Sequence, residues 1–376
     1  MKFLGTFSPL ERALTIGGLA PIVLLGCGVH EIASSSAAST LPRPGYRSLL
    51  PIPAPVPRAP APSGLANAIE ELRNRFDGLA GIAVRSVEDG WAIDSVDADR
   101  RMPQQSVSKL WVAMTVLDAV DQGRIRLNDP IMVTNADLTL FHQPVAYLVK
   151  GDGYRTTVAD LFKRAMTQSD NTANDRLLTA VGGPGAVRAF IASRGLGNIR
   201  FGPGERLLQS YTAGLSWQQS YATGGGFQAA RSRLSPDVRR AAYQRYVADP
   251  IDGAAPAAIA DALARLKRGV LLSPESTNYL LATMAASRTG RARMRGAMPP
   301  GWILAHKTGT GQDLFGRTAG FNDVGLLTAP DGRTYALAIM VGDTARPPRD
   351  RQLLMQSVVS TVVANHRPGF GSDIAR

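Results

Sequence analysis

The chain has 376 residues, an apolar fraction of 44% and a formal net charge of +12, a balance that fits a protein with a real core and suits anionic partners without choosing among them. A single cysteine, Cys27, excludes an intrachain disulfide and a thiolate metal cluster, and four scattered histidines without an H-x-x-x-H pair argue against an imidazole metal site.

Lys2 and Arg12 precede an apolar run from Ala13 to Leu25, short for a bilayer span but suited to the h-region of a signal peptide. Leu24-Leu25-Gly26-Cys27 follows and resembles the lipobox of bacterial lipoproteins, in which the cysteine is lipidated; a plain signal with an incidental cysteine is the other reading. Residues 1–27 are thus expected to be an export signal. Residues 28–63 are expected to be a disordered linker. They are Ser/Ala-rich and then proline-dense (Pro42, Pro44, Pro51, Pro53, Pro55, Pro57, Pro60, Pro62), a composition that favours extended polyproline and reads as a semi-rigid tether.

The globular part is expected over 64–368, with 369–376 as a tail. Leu65, Ile69, Leu72 and Phe76 share one helical face. Gly81–Val87 and Trp91–Val96 read as strands joined by a turn at Glu88-Asp89-Gly90. Helical spacing recurs over Lys109–Gln122, Val158–Thr167, Ala173–Ala180, Pro256–Arg268 and Pro274–Ala286. Strand-like Val324–Thr328 and Tyr335–Val341 then precede a closing helix over Arg351–Val363. Strands at both ends around a helical middle predict an α/β domain: one sheet assembled from both termini, with a helical subdomain inserted.

Three short motifs carry the chemistry. Ser106-Val107-Ser108-Lys109 is the only Ser-x-x-Lys in the chain. A serine hydroxyl needs a base at hydrogen-bond distance, and a lysine one helical turn on can reach it. If Ser106 opens a helix, free N–H groups and the positive dipole end lie where negative charge develops. In Ser169-Asp170-Asn171 the serine can relay a proton to a leaving group and the asparagine can hold a substrate amide. Lys307-Thr308-Gly309-Thr310-Gly311 follows apolar Trp302–Ala305, as an edge strand lining a cleft would. There Lys307 can attract a carboxylate, Gly309 lets substrate approach the backbone, and the N–H of Thr310 can pair with that of Ser106 as an oxyanion hole.

The three motifs in this order resemble those of class A β-lactamases and penicillin-binding proteins. Asn174 with Gly182-Gly183-Pro184-Gly185-Ala186-Val187, and Asn322-Asp323-Val324, extend the similarity across roughly Leu65 to Val363. The resemblance implies an antiparallel sheet with flanking helices plus an all-helical subdomain, a cleft between them, and no cofactor or metal. It also implies a glutamate on an omega-shaped loop, in the pattern Glu-x-x-Leu-Asn; Glu205-Arg206-Leu207-Leu208-Gln209 stands in that place, with Gln209 for the usual asparagine. Glu205 would hold a water against the acyl-enzyme carbonyl and take its proton. Arg317 would supply a second cation for a substrate carboxylate beside Lys307 and Thr308. His142 falls where the family often has an aromatic gate, or is a surface loop histidine.

The implied activity is β-lactam hydrolysis through an acyl-enzyme on Ser106. The base is Lys109 or a Glu205-bound water, and Ser169 passes a proton to the ring nitrogen. A D-alanyl-D-alanine carboxypeptidase or transpeptidase acting on peptidoglycan stem peptides shares the motifs, and a protein that acylates and stalls is a third reading. A small-molecule partner, no nucleic acid, a periplasmic monomer and membrane anchoring through Cys27 complete the expectation. One departure is plain: about forty-five residues separate Gln209 from Ala255, rich in aromatics and arginines. This 210–254 segment is expected either to wall the cleft or to decorate the periphery.

Overall fold

In the first strand, Ala80, Ile82 and Val84 pack into one apolar cluster while Ala83 packs into another, so the alternation of a pleated strand is buried on both of its faces. The computed structural model describes residues 60–368, which fall within one compact unit. The expected export signal, Cys27 and the expected tail lie outside the described residues, as does all but the end of the expected linker.

The chain enters through α1 (Ser63–Asn74) and forms β1 (Leu79–Ser86) and β2 (Ala92–Asp94). The middle holds α2 (Lys109–Asp121), the small hairpin β3 (Pro130–Val133) and β4 (Tyr154–Thr157), α3 (Val158–Lys163), α4 (Asn171–Ala180) and α5 (Gly183–Ser193). It continues through α6 (Glu205–Thr212), α7 (Gly226–Ser232), α8 (Pro236–Ala248), α9 (Pro256–Lys267) and α10 (Pro274–Ala285). Strand β5 (Ile303–Thr310), the hairpin β6 (Asp313–Leu314) and β7 (Arg317–Thr318), β8 (Phe321–Thr328), β9 (Thr334–Asp343) and α11 (Pro348–Ala364) close the chain.

The main sheet is antiparallel throughout, in the order β2-β1-β9-β8-β5. Strands from both ends of the chain do assemble into one sheet, with Ala80 opposite Val341. Along β9, Tyr335, Leu337, Ile339 and Val341 pack with α1 and α11, whereas Ala336, Ala338 and Met340 pack towards α9 and the helical region. The small alanines on that second face admit α9, itself rich in alanine, close to the sheet. Helix α2 is buried on nearly all sides and apolar around its circumference, as a central helix must be. Among the described residues no helix is long and apolar enough to cross a membrane.

The predicted helix over Val158–Thr167 is interrupted. Regular α-helix ends at Lys163, Arg164–Gln168 form a π-helical turn, and Ser169 follows in the left-handed region at φ 63°. Such a widened turn inside a helix is a recurrent mark of functional positions. Here it aims Ser169 away from the helical path.

Candidate functional site

Ser106 lies in a 3₁₀ turn, Gln105–Ser108, that leads directly into α2. Gln105 holds a left-handed backbone at φ 54°, and its N–H donates to Asp252 Oδ2 at 2.8 Å. Asn322 of β8 fixes the approach, its Nδ2 donating to the carbonyls of Pro103 (2.8 Å) and Gln104 (3.0 Å). The side chain of Lys109 is fully out of solvent. Its Nζ donates to Ser106 Oγ at 2.7 Å, to Asn171 Oδ1 at 2.8 Å and to the Glu205 carboxylate. An ammonium has three hydrogens, and here each has an acceptor.

Asn171 is held in turn by its Nδ2 donating to the Leu140 carbonyl at 2.8 Å. Asp170 between the two motif residues is structural. It caps α4 by accepting from Ala173 N (2.9 Å) and ties down a neighbouring loop by accepting from Val145 N (2.6 Å). Ser169 Oγ accepts from Lys307 Nζ at 2.9 Å, and Lys307 also donates to the Thr308 carbonyl at 2.9 Å. Burial, with the nearby charge of Lys109, pushes the Lys307 ammonium well below its ordinary range.

Glu205 opens a helix, α6, instead of lying on irregular loop. Its N–H donates to Asp175 Oδ1 at 2.8 Å, and that of Arg206 donates to Asp175 Oδ2 at 3.2 Å, so Asp175 serves the orphan donors of the helix start. Burial and the charge of Glu205 raise the Asp175 carboxyl to about 6. Gln209, one turn along, donates from Nε2 to Gln105 Oε1 (2.9 Å) and to Glu205 Oε2 (3.3 Å). Gln105 Nε2 donates to Tyr246 Oη at 2.6 Å, and Gln312 Nε2 donates to Gln209 Oε1 at 3.1 Å. A chain of buried amides therefore runs from α8 to the Glu205 carboxylate.

A cleft of about 550 Å³ opens over Ser106, lined among others by Ser169, Asn171, Gln209, Thr308, Thr310, Phe141 and His142. One expectation changes. Arg317 is not among the lining residues: β7 carries it to the end of β9, where its Nη2 and Nε meet Asp343 at 2.5 and 3.1 Å. The guanidinium against that part of the cleft belongs to Arg293, which donates to the carbonyls of Gly309 (2.9 Å) and Asn322 (2.6 Å) and to Thr310 Oγ1 (2.5 Å). Gly309 also serves packing, since a Cβ there would lie 2.3 Å from the Gln104 carbonyl oxygen. The 210–254 segment reaches the site in two places. Tyr246 backs Gln105, and Arg231 of α7 lines the cleft.

Residues 64–366 match the profile of the β-lactamase enzyme family. The chain belongs to the β-lactamase family. It is 31% identical to the extended-spectrum β-lactamase PER-1 of Pseudomonas aeruginosa over 79% of this chain and 85% of that protein. The ancestral class A β-lactamase GNCA superposes with a TM-score of 0.64 at 31% identity, covering 80% of this chain and 99% of that one. A β-lactamase from Chitinophaga pinensis does so with a TM-score of 0.64 at 26% identity, covering 80% and 100%.

In this class A β-lactamase, sequence reasoning missed Arg293, Asp175, Gln105 and Tyr246. Asp175, directly after the Asn-Thr-Ala-Asn run of the second motif, was within reach of a helix-capping argument. Arg293 sits just before a 3₁₀ turn, Met294–Ala297, in a stretch with several arginines, and only the pairing of β5 with β8 singles it out.

Proposed function

We propose that this protein opens the β-lactam ring through an acyl-enzyme on Ser106 and hydrolyses it with a water activated by Glu205. The observation that carries the reading is Lys109 Nζ, which touches both Ser106 Oγ and the Glu205 carboxylate inside a buried cluster. As Ser106 Oγ bonds to the lactam carbonyl carbon, its proton passes to Lys109, which in the same step can hand one to Glu205; the carbonyl oxygen takes the electron pair facing the N–H groups of Ser106 and Thr310. Collapse of that intermediate breaks the carbon–nitrogen bond. The nitrogen is protonated through Ser169, which Lys307, held below its ordinary pKa, can resupply. Thr308, Thr310 and Arg293 would bind the ring carboxylate, and Asn171 the side-chain amide.

Before the second half-reaction Glu205 gives up the proton it received and Lys307 takes one back from solvent, which restores both groups; Glu205 then takes a proton from water as the oxygen attacks the ester carbonyl, and Ser106 leaves with that proton returned. Gln209 keeps the glutamate in place through its 3.3 Å hydrogen bond. The test is mass spectrometry with benzylpenicillin together with a chromogenic cephalosporin assay. The wild type should turn over many equivalents, with a transient adduct on the peptide holding Ser106, and Ser106→Ala should show neither. An adduct on that peptide in Ser106→Ala, or a wild type that stalls after one equivalent, would refute the reading.

The chain is further proposed to be exported to the periplasm as a monomer, with residues 1–27 as a lipoprotein signal, 28–63 as a tether and 64–368 as the catalytic domain carrying 210–254 as an addition. The apolar run before Cys27 and the proline-dense stretch after it support this. Full-length protein expressed in bacteria should partition with membranes, and Cys27→Ser should release it or block its maturation; identical behaviour of the two would exclude lipidation.

A further inference from the structure

Two guanidiniums line the cleft, and the reaction above uses only one of them. Arg293 stands with Thr308 and Thr310. Arg231 lines the cleft with Gln209, Gln312 and Asp313. Its Nη2 donates to the Asp313 main-chain carbonyl at 2.9 Å, which holds the guanidinium by a neutral acceptor. Its Nε is buried without a hydrogen-bond partner. Asp313 is the one acidic residue lining the cleft among the described residues, and its carboxylate accepts from Thr318 Oγ1. Asp313 attracts Arg231 less than the neighbouring Arg239 repels it. Arg239 itself lines a small chamber shared with Arg231 and Gln312. A partly desolvated guanidinium with spare donors and a like charge beside it favours an incoming carboxylate.

In a bicyclic β-lactam the ring carboxylate and the acyl side chain leave from opposite ends of the reacting amide. With the carbonyl at Ser106 and the ring acid at Arg293, the guanidinium left in the cleft for a group on the side chain is Arg231, which lines it together with Gln209 and Gln312. We propose that Arg231 binds a second anionic group, carried on the acyl side chain, so that the cleft favours dianionic β-lactams. This assignment rests on the β-lactamase reading of the site.

Carbenicillin and benzylpenicillin differ by one side-chain carboxylate, and the readout is the ratio of their kcat/KM values. Arg231→Gln should lower that ratio by about tenfold or more, the worth of a hydrogen bond to a charged group. The loss should fall in KM, and Arg231→Lys should keep most of the ratio. In the wild type, raising salt from about 0.05 to about 0.5 M should shrink the ratio by screening the second charge. A ratio unmoved within twofold in Arg231→Gln overturns the assignment. Should that variant not fold, as benzylpenicillin turnover will report, a salt-independent ratio in the wild type overturns it instead. Failure of the wild type to turn over either penicillin refutes the β-lactamase reading itself, whereas turnover of both with an unmoved ratio refutes only the role of Arg231.

Discussion

In the proposed reaction Glu205 makes two separable contributions, as the base for water and as the carboxylate that balances the buried Lys109. Glu205→Ala should slow acyl-enzyme hydrolysis by about 10²–10⁴-fold, the usual worth of a placed general base, or roughly 3–5 kcal/mol of barrier. Rapid-mixing kinetics should show a burst of one product per enzyme and then near-silence; equal steady-state turnover by wild type and variant would exclude the role. The same change strands an ammonium among neutral acceptors, which costs about 3–5 kcal/mol of stability for a broken buried pair. Tyr246 acts one step further back. Tyr246→Phe leaves Gln105 Nε2 without the acceptor it now has at 2.6 Å. An unsatisfied buried donor costs about 1–3 kcal/mol. Through Gln105 and Gln209 the variant should also loosen Glu205, so kcat should fall several-fold with KM little changed. A change confined to the melting temperature would mean that Tyr246 is only a strut.

At the scale of elements, the contact between β5 and the turn before α2 sets the distance from Lys307 to Ser106. Gly309 permits it, and Gly311 lets the chain beyond β5 pass the segment before β8. A Cβ at Gly309 would lie 2.3 Å from the Gln104 carbonyl, and one at Gly311 1.7 Å from that of Ala319. Neither obstacle is a flexible side chain, so Gly309→Ala should displace the turn, lower the melting temperature and reduce the rate at which benzylpenicillin labels Ser106. Near-normal labelling would show that the strand can shift without consequence. Here lies the boundary of what the sequence disclosed. The three motifs are short and local, and the spacing of Ser106 and Lys109 along one helical turn already implies their 2.7 Å contact. The alternating apolar residues of β1 and β9 likewise announce strands. What escaped depends on remote pairing. Gln105 and Tyr246 are 141 residues apart, and nothing in either neighbourhood marks them. Arg317 follows the third motif closely in sequence, yet the β6–β7 hairpin turns it onto Asp343. The packing role of Gly309 was hidden because the obstacle it avoids, the Gln104 carbonyl, belongs to a segment two hundred residues earlier.

For the molecule as a whole, burial of acids beneath the site predicts how stability responds to pH. Asp252, wholly enclosed, is raised to about 7, mainly by burial, and Asp175 to about 6 by burial and Glu205. A carboxyl raised on folding contributes stability that is present below its unfolded value, near 4, and is lost as pH rises through the folded value. These two carboxyls should therefore lower the melting temperature between about pH 5 and about pH 8, against the opposite contribution of Lys307, so that Asp252→Asn should lose less stability than the wild type over that range. A slope in Asp252→Asn as steep as the wild type's would show that Asp252 does not titrate in this window.

The pairing of β1 with β9 has a consequence for how the protein comes into being. Ile82 meets Ile339, so the centre of the sheet closes across more than two hundred and fifty residues. Contacts of such separation form slowly, because a long loop must be ordered before they reward it. During synthesis β1 has no paired strand but β2 until nearly the whole chain has left the ribosome. A chain ending at residue 330 should accordingly accumulate as aggregate or be degraded, and its soluble recovery would disprove the point. That delay fits the export proposed above, since a polypeptide that cannot finish its sheet early remains threadable.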